Sequence, residues 1–200
     1  MTTLSPTQVR LLDRYESLLR DRAVSLGFVS EADRGILRTR HIGDSLRALD
    51  AFYDGDRVAY DLGSGAGLPG LPLAVALPHL RFYLIESRRR RAAFLELAVE
   101  RLNLENVEVL ALRVDEVAAR VGEGEFDRAD VVTARAFAPL EASWPAAAGL
   151  LRRGGRLVYF AGAGLDDPIG RARAAGGGEA AVSLLEEVAS SSPLVIMARK

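Results

Sequence analysis

The stretch Val58-Ala59-Tyr60-Asp61-Leu62-Gly63-Ser64-Gly65-Ala66-Gly67-Leu68-Pro69-Gly70 restricts the fold more than any other part of this chain. A short apolar run ends in an acid. A turn with glycine at every second position follows, and then residues that suit a helix. Without Cβ atoms the turn can reach positive φ and let the backbone pass close to a ligand. A helix opening just beyond it directs free N–H groups at whatever lies over the turn. A strand, turn and helix in that order belong at the ligand edge of an α/β sheet, and the stretch predicts a nucleotide or nucleoside site.

The periodicity downstream agrees. Strand-like runs at 57–62, 81–86, 107–112, 128–133 and 155–161 alternate with helical stretches at 68–77, 88–102, 114–121 and 139–150. Alternation with short links predicts a mostly parallel, doubly wound sheet. The segment 172–181 is rich in Ala and Gly, with a break at Ala174 to Gly178; Ala181–Val188 fits strand or helix, and Leu194 to Ala198 reads as a last strand. Two final strands with no clear helix between them suggest an antiparallel hairpin closing a seven-stranded sheet, unlike the ending of a dinucleotide-binding domain.

Upstream the period is helical. Val9, Leu11, Leu12, Tyr15, Leu18, Leu19 and Val24 form an apolar stripe over Thr3 to Leu26, with Ser5 as N-cap, Pro6 at the first position and Gly27 as the stop. Ser30 begins a second short helix with Asp33 in a capping-box position, weakened by Gly35, and a third covers Thr39 to Phe52. Asp54-Gly55-Asp56 is a turn. The expected organisation is a helical extension over 1–53 and an α/β domain over 54–200.

Composition narrows the classes. The 49% hydrophobic content of 200 residues suits one domain with a proper core, and the absence of cysteine removes disulfides and thiolate metal sites. Two histidines, His41 and His79, make a histidine metal site improbable, so no metal is expected. Arg or Asp interrupts every apolar run before it reaches membrane-span length, and the first residues lack the order of a signal peptide. A cytoplasmic protein with no membrane partner, and a monomer, is expected. A net charge of −1 argues against a large sequence-independent grip on nucleic acid. Yet Lys200 is the only lysine among 26 basic residues. Coding bias explains that, and so does recognition of phosphates by planar guanidinium groups.

Two frames compete at the glycine turn. Gly65-x-Gly67-x-x-Gly70 fits the dinucleotide fingerprint of a nicotinamide-dependent oxidoreductase. Asp61-x-Gly63-x-Gly65-x-Gly67 resembles the first motif of class I S-adenosylmethionine methyltransferases. An acid at the strand end suits a cationic ligand such as the ammonium of a sulfonium amino acid, and opposes a pyrophosphate. Glu86, ending the second strand, can accept hydrogen bonds from ribose hydroxyls, each worth about 1.5–3 kcal/mol; both frames need it. After the third strand, Val114 can pack on an adenine ring and Asp115 can accept from its amino group, or Asp115 and Glu116 simply charge a helix N-terminus favourably. Arg135 stands at the end of the fourth strand among small residues.

Taken in order, Arg40-His41-Ile42-x-Asp44-Ser45, Asp61-Leu62-Gly63-Ser64-Gly65-Ala66-Gly67-Leu68-Pro69-Gly70, Arg113-Val114-Asp115-Glu116 and Arg135-Ala136-Phe137-Ala138 resemble the RsmG family, also called glucose-inhibited division protein B. The resemblance covers about residues 37–161. It implies a Rossmann-like class I methyltransferase that uses S-adenosyl-L-methionine to methylate N7 of a guanine in 16S ribosomal RNA, with that RNA or the small ribosomal subunit as partner. It places Gly63 and Leu68 at the donor, Glu86 on the ribose, Val114 and Asp115 against the adenosine, and Arg135 at the donor or reaction centre. It also implies that Arg40, His41 and Asp44 lie near the cleft on the added helices. Arg88, Arg89, Arg90 and Arg91, with Arg34, Arg38, Arg40 and Arg47, are the candidates for RNA phosphates; the family has fewer basic residues at the Arg88–Arg91 position. Three features depart from the pattern. The N-terminal tryptophan and the asparagine-leucine-threonine segment are absent, a lysine-glycine pair after the fifth strand is Ala161-Gly162, and a basic residue before the last strand is replaced by Ser190-Ser191-Ser192-Pro193. A donor-binding member with altered or lost RNA transfer is therefore the alternative, and an oxidoreductase the remote one.

Overall fold

The computed structural model describes residues 3–162, 166–185 and 193–200. Strands β1 (Val58–Leu62), β2 (Arg81–Ile85), β3 (Val107–Leu110), β4 (Ala129–Arg135), β5 (Leu151–Phe160), β6 (Ala180–Leu185) and β7 (Leu194–Arg199) form one sheet. Their order is β3-β2-β1-β4-β5-β7-β6. The first five pair in parallel, and β7 runs antiparallel to both β5 and β6. The expected terminal hairpin is present, with β7 inserted between β5 and β6. β1 and β4 are buried almost throughout, as strands covered by helices on both faces must be.

On one face lie α1 (Pro6–Leu18), the following N-terminal turns, α2 (Asp44–Leu46), α3 (Gly70–Ala76) and α4 (Arg89–Leu102). Leu12, Tyr15, Leu19, Leu37 and Ile42 join Leu71, Leu95, Phe82 and Val131 in a single apolar cluster. The other face holds α5 (Val114–Glu123), α6 (Leu140–Leu150) and α7 (Pro168–Gly176), packed on Val132, Leu157 and Met197. The N-terminal helices thus share one core with the sheet.

Local signals explain most boundaries. Ser5 Oγ accepts from Gln8 N at 3.3 Å while Gln8 Oε1 accepts from Ser5 N at 2.8 Å, and Pro6 starts the helix. The helical path continues past Leu18 as a π-helical turn over Leu19–Ala23 and stops at Gly27, φ +70°. Ser30 caps only a 3-10 turn, Glu31–Asp33. Asp33 does not close the expected capping box, because its carboxylate is taken by His41 and Arg40. The third segment is helical but changes register, from π over Leu37–Gly43 to α2 to 3-10 over Arg47–Ala51. The helix-weak Gly43 sits at the first junction.

One helix was absent from the sequence expectation. α7 occupies the Ala/Gly-rich region, started by Asp167, whose carboxylate accepts from Gly170 N at 3.0 Å, and by Pro168. That N-cap and proline pair is a standard start signal, hidden by the glycines that follow. Ala181–Val188 is strand through Leu185; 186–188 and the Ser190–Ser192 departure lie outside the described residues. Among the described residues, no helix is long and apolar enough to cross a membrane.

Candidate active site

From β1 the chain pairs first with β2 on one side and later with β4 on the other. The strand order therefore reverses between β1 and β4, and open α/β sheets bind ligands in the crevice at such a point. The glycine turn lies at the carboxyl end of β1 there.

Asp61 stands opposite Leu84 of β2 and Thr133 of β4. Its side chain is fully buried beneath the turn. Thr133 Oγ1 donates to Oδ1 at 2.7 Å and Gly70 N donates to Oδ2 at 3.3 Å. Burial pushes its carboxyl up to about 6, against the opposing pull of the Thr133 and Ser64 hydroxyls, the Arg135 charge and the Gly70 N–H. The turn itself closes on Ser64, whose carbonyl accepts from Gly67 N at 2.7 Å. Gly63 has φ +61°, and a Cβ there would fall 2.8 Å from the Phe137 ring. At Gly70 a Cβ would come within 2.5 Å of Leu84 Cδ2 and 2.8 Å of Asp61 Oδ2. Neither position admits a side chain without displacing the neighbour that shapes the turn.

Glu86 follows β2 and is buried. Gly65 N donates to its Oε2 at 3.1 Å and Arg88 N to its Oε1 at 2.8 Å. An ionised carboxylate offers about four acceptor sites, so Glu86 can hold the turn and still accept from a ligand diol. Gly65 is partly open, whereas Gly67 and Leu68 are buried in the turn's far limb. Val114 is half-buried at the first turn of α5. Asp115 is exposed and pairs with Arg113 Nε at 3.1 Å, while Glu116 Oε2 accepts from Arg113 N at 2.7 Å. The helix-start role of these two acids is thus realised.

Arg135 closes the crevice from the β4 side. Its NH1 lies 3.4 Å from both the His41 carbonyl and Asp44 Oδ2. This joins Arg135 to Arg40-His41-Ile42-Gly43-Asp44, the motif on the added helices. His41 Nε2 lies 3.0 Å from Asp33 Oδ2. Burial and the Arg135 charge pull its pKa below the usual histidine range, against the opposing Asp33. Sequence reasoning missed Tyr15, whose hydroxyl donates to the Ala66 carbonyl at 2.7 Å from a fully buried position. In the sequence it is one more apolar position on the α1 stripe, and no signal separates it from the core.

The arginines that are candidates for RNA phosphates divide into two groups. Arg34 pairs with Glu31, Arg38 with Asp13, Arg40 with Asp33 and Arg47 with Asp44. Arg88, Arg89, Arg90 and Arg91 have no carboxylate in ion-pair range among the described residues, although they sit at the positive end of α4. With Leu26, Gly27 and Phe28 they line an open groove of about 350 Å³. The Arg91 guanidinium lies 5.5 Å from the centre of the Phe28 ring, and its NH1 approaches the open side of Gly65. The groove therefore adjoins the glycine turn. Among the described residues no cluster of His, Asp and Glu could hold a metal ion.

Comparison with known proteins agrees with this geometry. Residues 8–183 match the family model described as rRNA small subunit methyltransferase G. A protein of that name from Corynebacterium efficiens is 42% identical over 174 residues, 84% of this chain and 72% of the relative. Another, from Corynebacterium glutamicum, is 38% identical across 92% of this chain and 82% of the relative. In structure, an O-methyltransferase from Bacillus cereus, solved with SAH, superposes with a TM-score of 0.67 at 17% identity, covering 100% of this chain and 93% of its own. TomG, an O-methyltransferase from Streptomyces achromogenes, gives 0.65 at 17% identity, covering 100% and 92%. The fold is that of the class I methyltransferases, and the chain belongs to the rRNA small subunit methyltransferase G family.

Proposed function

We propose that the protein transfers a methyl group from S-adenosyl-L-methionine to N7 of a guanine in 16S ribosomal RNA, acting in the cytoplasm as a monomer. One observation carries the choice of donor over a dinucleotide. The Gly70 N–H, at the start of α3 where a pyrophosphate needs free donors, is already given to Asp61. A buried acid below the turn repels phosphate and favours a ligand cation.

When bound, the donor supplies an electrophilic methyl on a sulfonium. Glu86 holds the ribose diol, with Gly63, Gly65, Gly67 and Leu68 as the floor. Val114 packs on the adenine and Asp115 meets its amino group. The Asp61 charge, from beneath the turn, favours the donor's ammonium. Arg135, fixed by Asp44 and the His41 carbonyl, faces the donor's amino-acid end and the incoming base. Guanine N7 carries an exposed lone pair and needs no deprotonation, so no general base is required. Catalysis comes from alignment, which can contribute up to about 7–11 kcal/mol. Arg88–Arg91, with Arg40 and His41, hold the RNA backbone.

Donor binding without RNA transfer is the second reading, motivated by Ala161, which is buried and uncharged where the resemblance expects a lysine. Two measurements separate the readings. S-adenosylhomocysteine should raise the melting temperature while NAD leaves it unchanged. Labelled donor with unmethylated small ribosomal subunits should label the 16S RNA. A stabilising shift without RNA label selects the second reading; a shift with NAD alone overturns both.

A further inference from the structure

The N-terminal helix touches the glycine turn and the helix after it at two separated points. At one end Tyr15 donates its buried hydroxyl to the Ala66 carbonyl at 2.7 Å. At the other, Gln8 Nε2 donates to the carbonyls of Val75 and Ala76, at 3.0 Å each. Those carbonyls belong to the last turn of α3, which has no intrahelical partners for them. Gln8 and Tyr15 are seven residues apart, two turns of α1, and so project from the same face.

We infer that Tyr15 and Gln8 are positioning residues: through them α1 clamps the glycine turn and α3 at both ends and fixes the turn in its donor-binding shape. This rests on the proposed reading of the turn as the donor site. The turn needs such a support. Its glycines stabilise no single conformation in isolation, and a preorganised site binds without first ordering its backbone. Ala66 is the residue between two positive-φ glycines, so anchoring its carbonyl constrains the peptide units on both sides. The clamp also gives the helical extension a task in donor binding apart from any contact with RNA. Burial raises the Tyr15 phenol well above its usual range, so it stays protonated and a donor at neutral pH.

Tyr15→Phe keeps the ring and deletes only the hydroxyl. The variant should remain folded and raise the Kd for S-adenosylhomocysteine by about two- to tenfold, the range for losing one buried hydrogen bond. In steady-state methylation the KM for donor should rise by a similar factor while the KM for RNA stays constant. Gln8→Ala should act in the same direction, and the double variant should be worse than either. Val195→Ala, in the β7 core away from the turn, controls for general softening. Unchanged donor affinity in folded Tyr15→Phe, or an equal loss in Val195→Ala, overturns the clamp. Failure of the unmodified protein to bind S-adenosylhomocysteine instead overturns the donor-site reading itself.

Discussion

Gly70 and Asp61 show how closely the residues of this site are set. A methyl group at Gly70 would run into Leu84 and Asp61, and overpacking a filled site costs about 1–3 kcal/mol. Gly70→Ala should therefore lose stability in that range and bind S-adenosylhomocysteine at least roughly tenfold more weakly; denaturant titration and calorimetry check the two effects. Asp61 carries a pH signature. Its carboxyl sits at about 6 in the folded protein, raised by burial from 3.8. The folded state thus binds this proton more tightly than the unfolded chain. Its contribution to stability is greatest below the unfolded value, falls as pH rises towards 6, and is flat beyond. A ligand ammonium prefers the ionised form. Donor affinity should accordingly tighten as pH rises through about 6, with proton release on binding at lower pH, and Asp61→Asn should abolish that dependence. Calorimetry in buffers of different ionisation heat measures both.

Among the elements, the start of α4 stands apart. Its four arginines lack acidic partners among the described residues, whereas Arg34, Arg38, Arg40 and Arg47 of the N-terminal segments are paired. On the proposed reading, phosphate binding by this run would explain the charge that the helix itself disfavours. Replacing Arg89 and Arg90 by Gln should reduce the slope of log affinity for RNA against log salt by about 0.7–0.9 for each phosphate no longer neutralised, with donor Kd unchanged. A wild-type salt slope would place the RNA elsewhere. The sequence made this run visible but could not show which arginines are free, because pairing depends on partners such as Asp13 for Arg38 that come from distant segments. Similarly, Asp61 and Glu86 were legible from their places at strand ends, because a strand followed by a turn fixes where its last residue lies. The hydrogen bonds they accept from Gly70, Gly65 and Thr133 were not, since these follow from how the turn closes and from the register of β1 with β4. Tyr15 was illegible because its ring obeys the apolar stripe and only its hydroxyl has a separate task. α7 was missed because local glycine content outweighed a start signal only two residues long.

On the scale of the whole molecule, the helical extension and the sheet are joined by a common core and by a buried arginine, itself ion-paired, that reaches from the sheet to the end of the extension. Arg156 of β5 binds Asp56, donates to the Ala51 carbonyl, and lies 3.8 Å from the Tyr53 ring centre. Removing one partner leaves a buried charge uncompensated, which costs about 3–5 kcal/mol. Asp56→Ala should lower unfolding stability by that amount in one cooperative transition, and replacing both members with apolar residues should recover most of it; a wild-type denaturation midpoint in Asp56→Ala would contradict the joint. That union bears on the proposed function, because it holds the Arg40–Asp44 motif and the α1 clamp against the crevice proposed to bring donor and base in line. The most direct test is nucleoside analysis of 16S RNA after incubating the protein and S-adenosyl-L-methionine with small ribosomal subunits from cells lacking the modification. The expected result is one 7-methylguanosine per RNA, lost in Glu86→Ala; no methylated guanine, or methylation at another atom, would contradict the proposed activity.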